Sequence, residues 1–344
     1  AIVLVLGGGP KFTTIEVEIY RQARLSLSTA DAAALSIISI LISSGVLVIY
    51  IASQKRMRSF LVGSSGGYCL PQIRAGRGAS AWILKLFLIL YVALVAVFTL
   101  GPLLAIVVRS FQTRLTRGGE LVPTVIWYRN LFNARNTLGS FSSAVKAIVN
   151  SGIIAAGTVV IAVPAAIGVS FSLRSMAQRR ALLPELVSMA PLAVSSVIIG
   201  LGYFILAPLL RHPLTQWVVL TCSHAVITLP FIIRAVLPSV QRINPMYANA
   251  ALLLGARPNA VFLTIELPLI RKAIASGVVF ALAISLGEIQ STLILSSEET
   301  ITIPILLYRL IGSYNFFSAC ALGVLLMLFA IALFSAVEYW RDKE

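Results

Sequence analysis

The chain has 344 residues, of which 58% are hydrophobic and only 11% charged, with a mean hydropathy of +0.95. That balance lies far outside the range of an ordinary soluble domain. The net charge of +15 invites nucleic-acid binding, but the basic residues sit between apolar runs. Anionic lipid headgroups are the partner they imply, and no nucleic acid is expected.

The opening residues Ala1–Leu6 are apolar but too few to cross a bilayer, which needs about 20 residues per helix. They also lack the charged segment of a signal peptide. Gly7-Gly8-Gly9-Pro10 resembles a phosphate loop only superficially, because no strand precedes it and no Lys-Ser/Thr follows. The first full-length apolar run spans 32–54. A basic stretch with Lys55, Arg56, Arg58, Arg74 and Arg77, rich in glycine from Gly63 to Gly78, reads as a flexible linker over 55–81. Six further runs follow, at about 86–108, 147–173, 186–210, 213–235, 272–295 and 316–338. Lipid offers backbone amides no partner, so these runs must be helices. The expected fold is an all-α, polytopic membrane protein with about seven transmembrane helices.

Basic clusters fall on alternate sides of successive runs. Lys55–Arg77 follows the first, Arg174, Arg179 and Arg180 follow the third, and Arg234, Arg242, Arg257, Arg271 and Lys272 flank the loop at 236–271. The positive-inside rule places all three in the cytoplasm, with 112–142 and 296–315 outside. Arg114, Arg117, Arg129 and Arg135 lie in an outer loop long enough to translocate despite its charge.

An internal echo organises the chain. Thr14-Ile-Glu-Val-Glu-Ile-Tyr20-Arg21 matches Thr302-Ile-Pro-Ile-Leu-Leu-Tyr308-Arg309, and the same offset pairs Ala33 with Ala321. Each copy reads as an outer loop feeding a final membrane helix. Long-period repeats signal duplicated architecture. Residues 1–54 are therefore expected to be the C-terminal remnant of a first module, and 82–344 a complete second module. An upstream region, truncated or separately encoded, would supply the remainder of the first.

The most ordered polar pattern lies between the fourth and fifth runs of the second module. Asn249-Ala250-Ala251-Leu-Leu-Leu-Gly255 is followed, after nine residues, by Ile265-Glu-Leu267-Pro268. Tyr247, Ala250, Ala251 and Leu254 share a helical face, and a further helical turn is expected over 259–265, with Val261, Phe262 and Ile265 on its apolar side. Gly255 permits a turn other residues resist, and Pro268 is expected in the first turn of the next membrane helix.

This spacing resembles the signature loop of importer-type ABC permeases, E-A-A-x3-G-x9-I-x-L-P. Asn249 stands where that family has Glu, which removes a charge from the docking surface. The resemblance, strongest at 247–268, implies the six-helix core of a type I ABC permease, with the signature loop at 241–268. It implies that Asn249, Ala250, Ala251, Gly255, Ile265, Leu267 and Pro268 couple to a cytoplasmic ATP-binding subunit present as a pair. A periplasmic substrate-binding protein, a second permease module and the inner-membrane bilayer complete the implied partners. An amphipathic helix lying on the inner leaflet is the bland alternative for the loop. The segments 6–10, 13–20, 285–288 and 307–314 look like the thiamine, or thiamine pyrophosphate, permease group; iron(III) permeases are close relatives with the same two-module plan.

Glu288 interrupts the fifth run of the second module after Ser285-Leu-Gly287. A carboxylate facing lipid is expensive, so two readings stand side by side. Glu288, with Gln290, Ser291 and Thr292, lines a translocation path, or Glu288 receives hydrogen bonds that stabilise a bend. No metal site is expected: Cys69, Cys222 and Cys320 are scattered, and His212 and His224 lie twelve residues apart on one helix. No Walker loop, nucleotide fingerprint or Ser-His-Asp order is present, so neither a catalytic residue nor a cofactor is assigned, and any ATP hydrolysis falls to a separate subunit. A secondary transporter would require several intramembrane ionisable groups, and a membrane enzyme a pair of acid, base or metal-ligand residues within the spans.

Overall fold

The computed structural model describes residues 13–26, 28–62, 79–114, 120–132, 144–176, 182–209 and 215–343. Helix α1 (Ile15–Arg24) starts at Thr14, whose Oγ1 accepts from the Val17 amide at 3.4 Å. Glu16 and Glu18 in its first turn and Arg21 and Arg24 in its last complement the helix dipole. Helices α2 (Thr29–Val62) and α3 (Ala79–Ser110) follow. A short antiparallel ribbon pairs β1 (Gln112–Arg114) with β2 (Leu121–Pro123), in the register Thr113 opposite Val122. Then come α4 (Ile126–Phe132) and α5 (Ala144–Ser175).

The next span is broken. Helix α6 (Leu182–Met189) ends in a 3₁₀ turn at Ala190–Leu192, and α7 (Ser196–Leu206) starts afresh at a bend of 97°. Ser195 caps α7, its Oγ accepting from the Val197 amide at 3.4 Å. Helix α8 (Thr215–Arg242) returns. The loop region holds α9 (Pro245–Leu253), α10 (Pro258–Val261), a π-helical turn at Phe262–Glu266 and α11 (Leu267–Leu269). Helix α12 (Arg271–Gly287), the short α13 (Gln290–Leu295), α14 (Ile303–Gly312) and α15 (Phe316–Lys343) complete the order.

Among the described residues, five helices carry apolar stretches long enough to cross a bilayer, and two bent pairs raise the number to seven. The chain is a multi-pass, all-α membrane protein. Its core is the bundle of α5, α8 and α12, where Ala162, Ala166, Ile232, Ile233, Val236 and Ala281 are buried together. Small residues set the spacing: a Cβ on Gly277 would lie 2.8 Å from the Ile232 Cγ2. In lipid such close approach, rather than exclusion of water, holds helices together. None of the apolar stretch of α3 is buried, a surface that hydrocarbon tolerates and water does not.

The structure departs from the sequence reading at four places. Both copies of the echo are helices, not loops: α1 and α14 are ten residues each and each begins one residue after its threonine. The expected linker is shorter at both ends, because α2 continues to Val62 and α3 begins at Ala79; Cys69 and the rest of 63–78 lie outside the described residues. The runs at 186–210 and 272–295 are not continuous helices, since Ser195 and Glu288 each accept amide protons that begin a new helix. Pro268 lies in α11, one turn before the membrane helix, which starts at Arg271 after a kink at Ile270.

Candidate functional site

Loop residues 244–269 form a bracket of short helical pieces. Asn244 caps α9 through its Oδ1, which accepts from the Met246 amide at 3.0 Å, and Pro245 fills the first helical position, where no amide is needed. The helix closes on Gly255, whose φ of +87° is one that β-carbons oppose. The Ala256 amide reaches the Ala251 carbonyl at 3.0 Å and the Gly255 amide reaches that of Leu252 at 3.0 Å. This double closure satisfies carbonyls that a helix end leaves orphaned. Asn249 and Ala250 are exposed and Ala251 half-buried. Leu253 and Leu254 stand 88% and 89% exposed, beside exposed Met246 and Tyr247.

The other half of the bracket is fastened inward. Val261 is buried, and Phe262 meets Phe171 of α5 edge-on, with ring centroids 5.2 Å apart. Arg174, at the end of α5, donates to Glu266 Oε1 at 3.0 Å and to the Ile243 carbonyl at 3.1 Å. Ile265 and Leu267 are half-buried, while Pro268 is exposed. One face of the loop therefore grips α5, and the other exposes the large apolar side chains of Met246, Tyr247, Leu253 and Leu254.

The far end of α12 holds the second group of candidates. The helix stops at Gly287, and Glu288 Oε1 accepts from the amides of Gln290 at 2.8 Å and Ser291 at 3.0 Å. These are first-turn amides of α13, so the carboxylate stabilises the bend. Ser291 is fully buried, its backbone so near Gly200 of α7 that a Cβ there would lie 2.8 Å from the Ser291 Cα. Thr292 is buried too, whereas Gln290 faces a small pocket with Glu16, Tyr20 and Tyr308.

A buried histidine bridges this break. His224 of α8, 1% exposed, contacts Ser285 Oγ through Nδ1 at 2.9 Å and Thr292 Oγ1 through Nε2 at 2.8 Å. Thr292 Oγ1 donates to the Glu288 carbonyl at 3.2 Å, so it accepts from His224 Nε2–H. Nδ1 then accepts the Ser285 proton, and Ser285 accepts from Thr158 of α5 at 3.4 Å. One neutral tautomer satisfies every bond. The sequence offered no sign of this chain, because its members lie 61 and 68 residues apart. His212 lies outside the described residues.

Above the break is an open cleft of about 870 Å³, walled by α1, α7, α8, α13 and α14. Gln216 fixes its rim, donating to the Leu295 carbonyl at 3.2 Å and accepting from Ser297 Oγ at 3.0 Å.

No protein-family model matches the chain. Over 338 residues, 96% of its length, it is 25% identical to the thiamine transport system permease protein ThiP of Brucella abortus. It is 24% identical to the protein of the same name from Escherichia coli, over 98% of its length. The chain spans only 56% and 59% of those two relatives. A shorter segment, 43% of the chain, is 30% identical to a putative 2-aminoethylphosphonate permease of Salmonella typhimurium. Among solved structures, a bacterial ABC transporter that imports the acidic polysaccharide alginate superposes with a TM-score of 0.60 at 17% identity, covering 76% of this chain and 96% of that one. The fold is that of an ABC-importer permease. A second structure of the alginate transporter, in complex with a pentasaccharide-bound periplasmic protein, gives a TM-score of 0.59 at 16% identity, over 75% of this chain and 93% of that one.

Proposed function

We propose that the chain is a transmembrane permease subunit of an ATP-driven importer in the inner membrane, with thiamine or its phosphates as substrate. The observation that carries this reading is the bracket at 244–269: an exposed apolar face on α9, a left-handed closure at Gly255 and a bonded grip on α5. Solvent-facing leucines at 88% and 89% exposure call for a protein partner, and the partner in this reading is a cytoplasmic ATP-binding subunit. Similarity to thiamine permeases along nearly the whole chain supports the substrate.

The mechanics follow from the connections. Closure of the ATP-binding subunits moves α9. The π turn, Phe262 and the Glu266–Arg174 pair pass that motion to α5, while the kink at Ile270 passes it to α12. Helix α12 carries it to Gly287, where Glu288 and His224 hold the break in shape and α13 meets the cleft. The permease hydrolyses nothing; it converts closure on one side into opening or sealing on the other.

In this reading residues 82–344 form one module, 1–54 end another and 55–81 connect them, and the path runs between two such modules. Substrate arrives on a periplasmic binding protein at the side of α1 and α14. Of the candidate path residues, Gln290 borders the small pocket beside Tyr20 and Tyr308, and Glu288, Ser291 and Thr292 lie behind it.

Proteoliposomes carrying the assembled transporter, its ATP-binding subunit and its binding protein decide the matter. Labelled thiamine is expected to accumulate only with ATP inside the compartment that holds the ATP-binding subunit. Accumulation driven by an ion gradient without ATP would contradict the reading.

A further inference from the structure

Tyr20 and Tyr308 occupy equivalent positions in the two copies of the echo, one on α1 and one on α14. Both line the large cleft, and both line the small pocket beneath it, so the two spaces meet at this pair. Glu16 and Gln290 lie below, the Gln290 amide donating to Glu16 Oε2 at 3.2 Å.

Charge sorts what such a place can hold. The two arginines of the cleft are engaged with its wall. Arg309 donates to Glu298 Oε1 at 2.6 Å, and Arg24 donates to the Ser296 carbonyl at 3.2 Å while its guanidinium lies over the Phe204 ring at 5.6 Å. Glu16, by contrast, has an uncharged hydrogen-bond partner in Gln290 and no salt bridge among the described residues. Glu16, which lines the small pocket and not the cleft, thus places a negative charge beside the two tyrosines. Ring faces carry negative quadrupole density and attract cations, most strongly where water is excluded.

We propose that the meeting point of the two spaces is a binding site for a flat aromatic cation, held by the rings of Tyr20 and Tyr308 with Glu16 beneath. The inference rests on the importer reading and deepens it: the same residues form a threshold that substrate passes on leaving the binding protein. The ligand lies on the cleft side of the pair, where about 870 Å³ leaves room for a drug-sized molecule, for which pockets of roughly 300–1,000 Å³ are usual; the pocket that holds Glu16, at about 20 Å³, does not admit it, so Glu16 acts through its charge.

The test is uptake of labelled thiamine by the assembled transporter in proteoliposomes, at sub-saturating concentration. Tyr20→Leu and Tyr308→Leu keep apolar volume and remove the ring; each is expected to lower uptake about thirtyfold, the scale of one desolvated cation–π contact. Tyr20→Phe and Tyr308→Phe keep the ring and are expected to stay within about twofold of wild type. Glu16→Gln is expected to raise the KM for thiamine. ATP hydrolysis stimulated by the loaded binding protein reports assembly in each variant. Leucine variants that assemble and transport like wild type would overturn the site. Absence of thiamine uptake by the wild type would instead overturn the importer reading on which the site rests.

Discussion

Arg174 and Glu266 are 92 residues apart in the chain and 3.0 Å apart in space, and their side chains are only 20% and 16% exposed. Arg174 closes α5 and Glu266 ends the π turn of the loop, so this pair fastens the loop to the bundle. A second bond from Arg174 to the Ile243 carbonyl, at 3.1 Å, ties the end of α8 into the same node. Replacing Arg174 by Gln should weaken the node by about 1.5–3 kcal/mol, the range for a hydrogen bond to a charged group. ATP hydrolysis should persist while uptake per ATP falls. The exchange Arg174→Glu with Glu266→Arg should restore part of the coupling. Equal uptake per ATP in wild type and Arg174→Gln would rule out a transmitting role for the pair.

Gly255 sits at φ +87°, where a side chain costs about 1–2 kcal/mol. Gly255→Val should disrupt the end of α9 and uncouple hydrolysis from uptake, with membrane insertion unchanged. Asn tolerates positive φ better than branched residues, so Gly255→Asn should retain more activity. Purified transporter assayed for both hydrolysis and uptake ranks the three; Val performing as well as Asn would refute the turn requirement.

His224→Ala deprives Ser285 and Thr292 of their shared partner. Hydrogen bonds between membrane helices average about 0.6 kcal/mol, with a maximum near 1.7, so the variant should still assemble. The expected loss is in geometry at the Gly287 break: uptake falls strongly and thermal stability in detergent only slightly. His224→Gln, which retains a donor and an acceptor, should recover part of the uptake. A large drop in stability with normal transport by the surviving fraction would show that the network serves folding alone.

At Gly200 the contact is with backbone, which cannot rotate away. A Cβ placed 2.8 Å from the Ser291 Cα forces α7 and α13 apart, an overpacking cost of about 1–3 kcal/mol. Gly200→Ala should therefore lower the amount of folded permease recovered from membranes, whereas Gly202→Ala, with nothing within 4 Å of its Cβ, should not. Similar recovery of both variants would contradict the packing.

How much of this was legible beforehand follows from the range of each interaction. The spans were readable because bilayer thickness sets a length and lipid forbids polar side chains along it, and the loop because Ala250, Gly255 and Ile265 keep fixed spacing around a local turn. Gly255 offers backbone freedom in the sequence and uses it, at φ +87°. The echo reads as an outer loop feeding a membrane helix, yet 15–24 is helical, because Thr14 caps it and Val17, Ile19 and Ala23 are buried along one side. Breaks at Ser195 and Gly287 lie inside unbroken apolar composition, which signals length but not continuity. Arg174, Glu266 and His224 act through partners brought close only by folding, and a lone histidine on an apolar helix gives no sign of which hydroxyls it will meet.

In the proposed importer, α9 seats an ATP-binding subunit whose closure drives transport. Leu253 and Leu254 are its two most exposed apolar side chains, at 88% and 89%; they bear on no helix of the bundle, so changing them leaves the membrane core intact. The decisive measurement is ATP-driven thiamine uptake by the assembled transporter carrying Leu253→Glu and Leu254→Glu, with retention of the ATP-binding subunit on the purified permease recorded in the same preparation. Loss of both uptake and subunit is the expected result. Wild-type uptake with the subunit fully retained would contradict the claim.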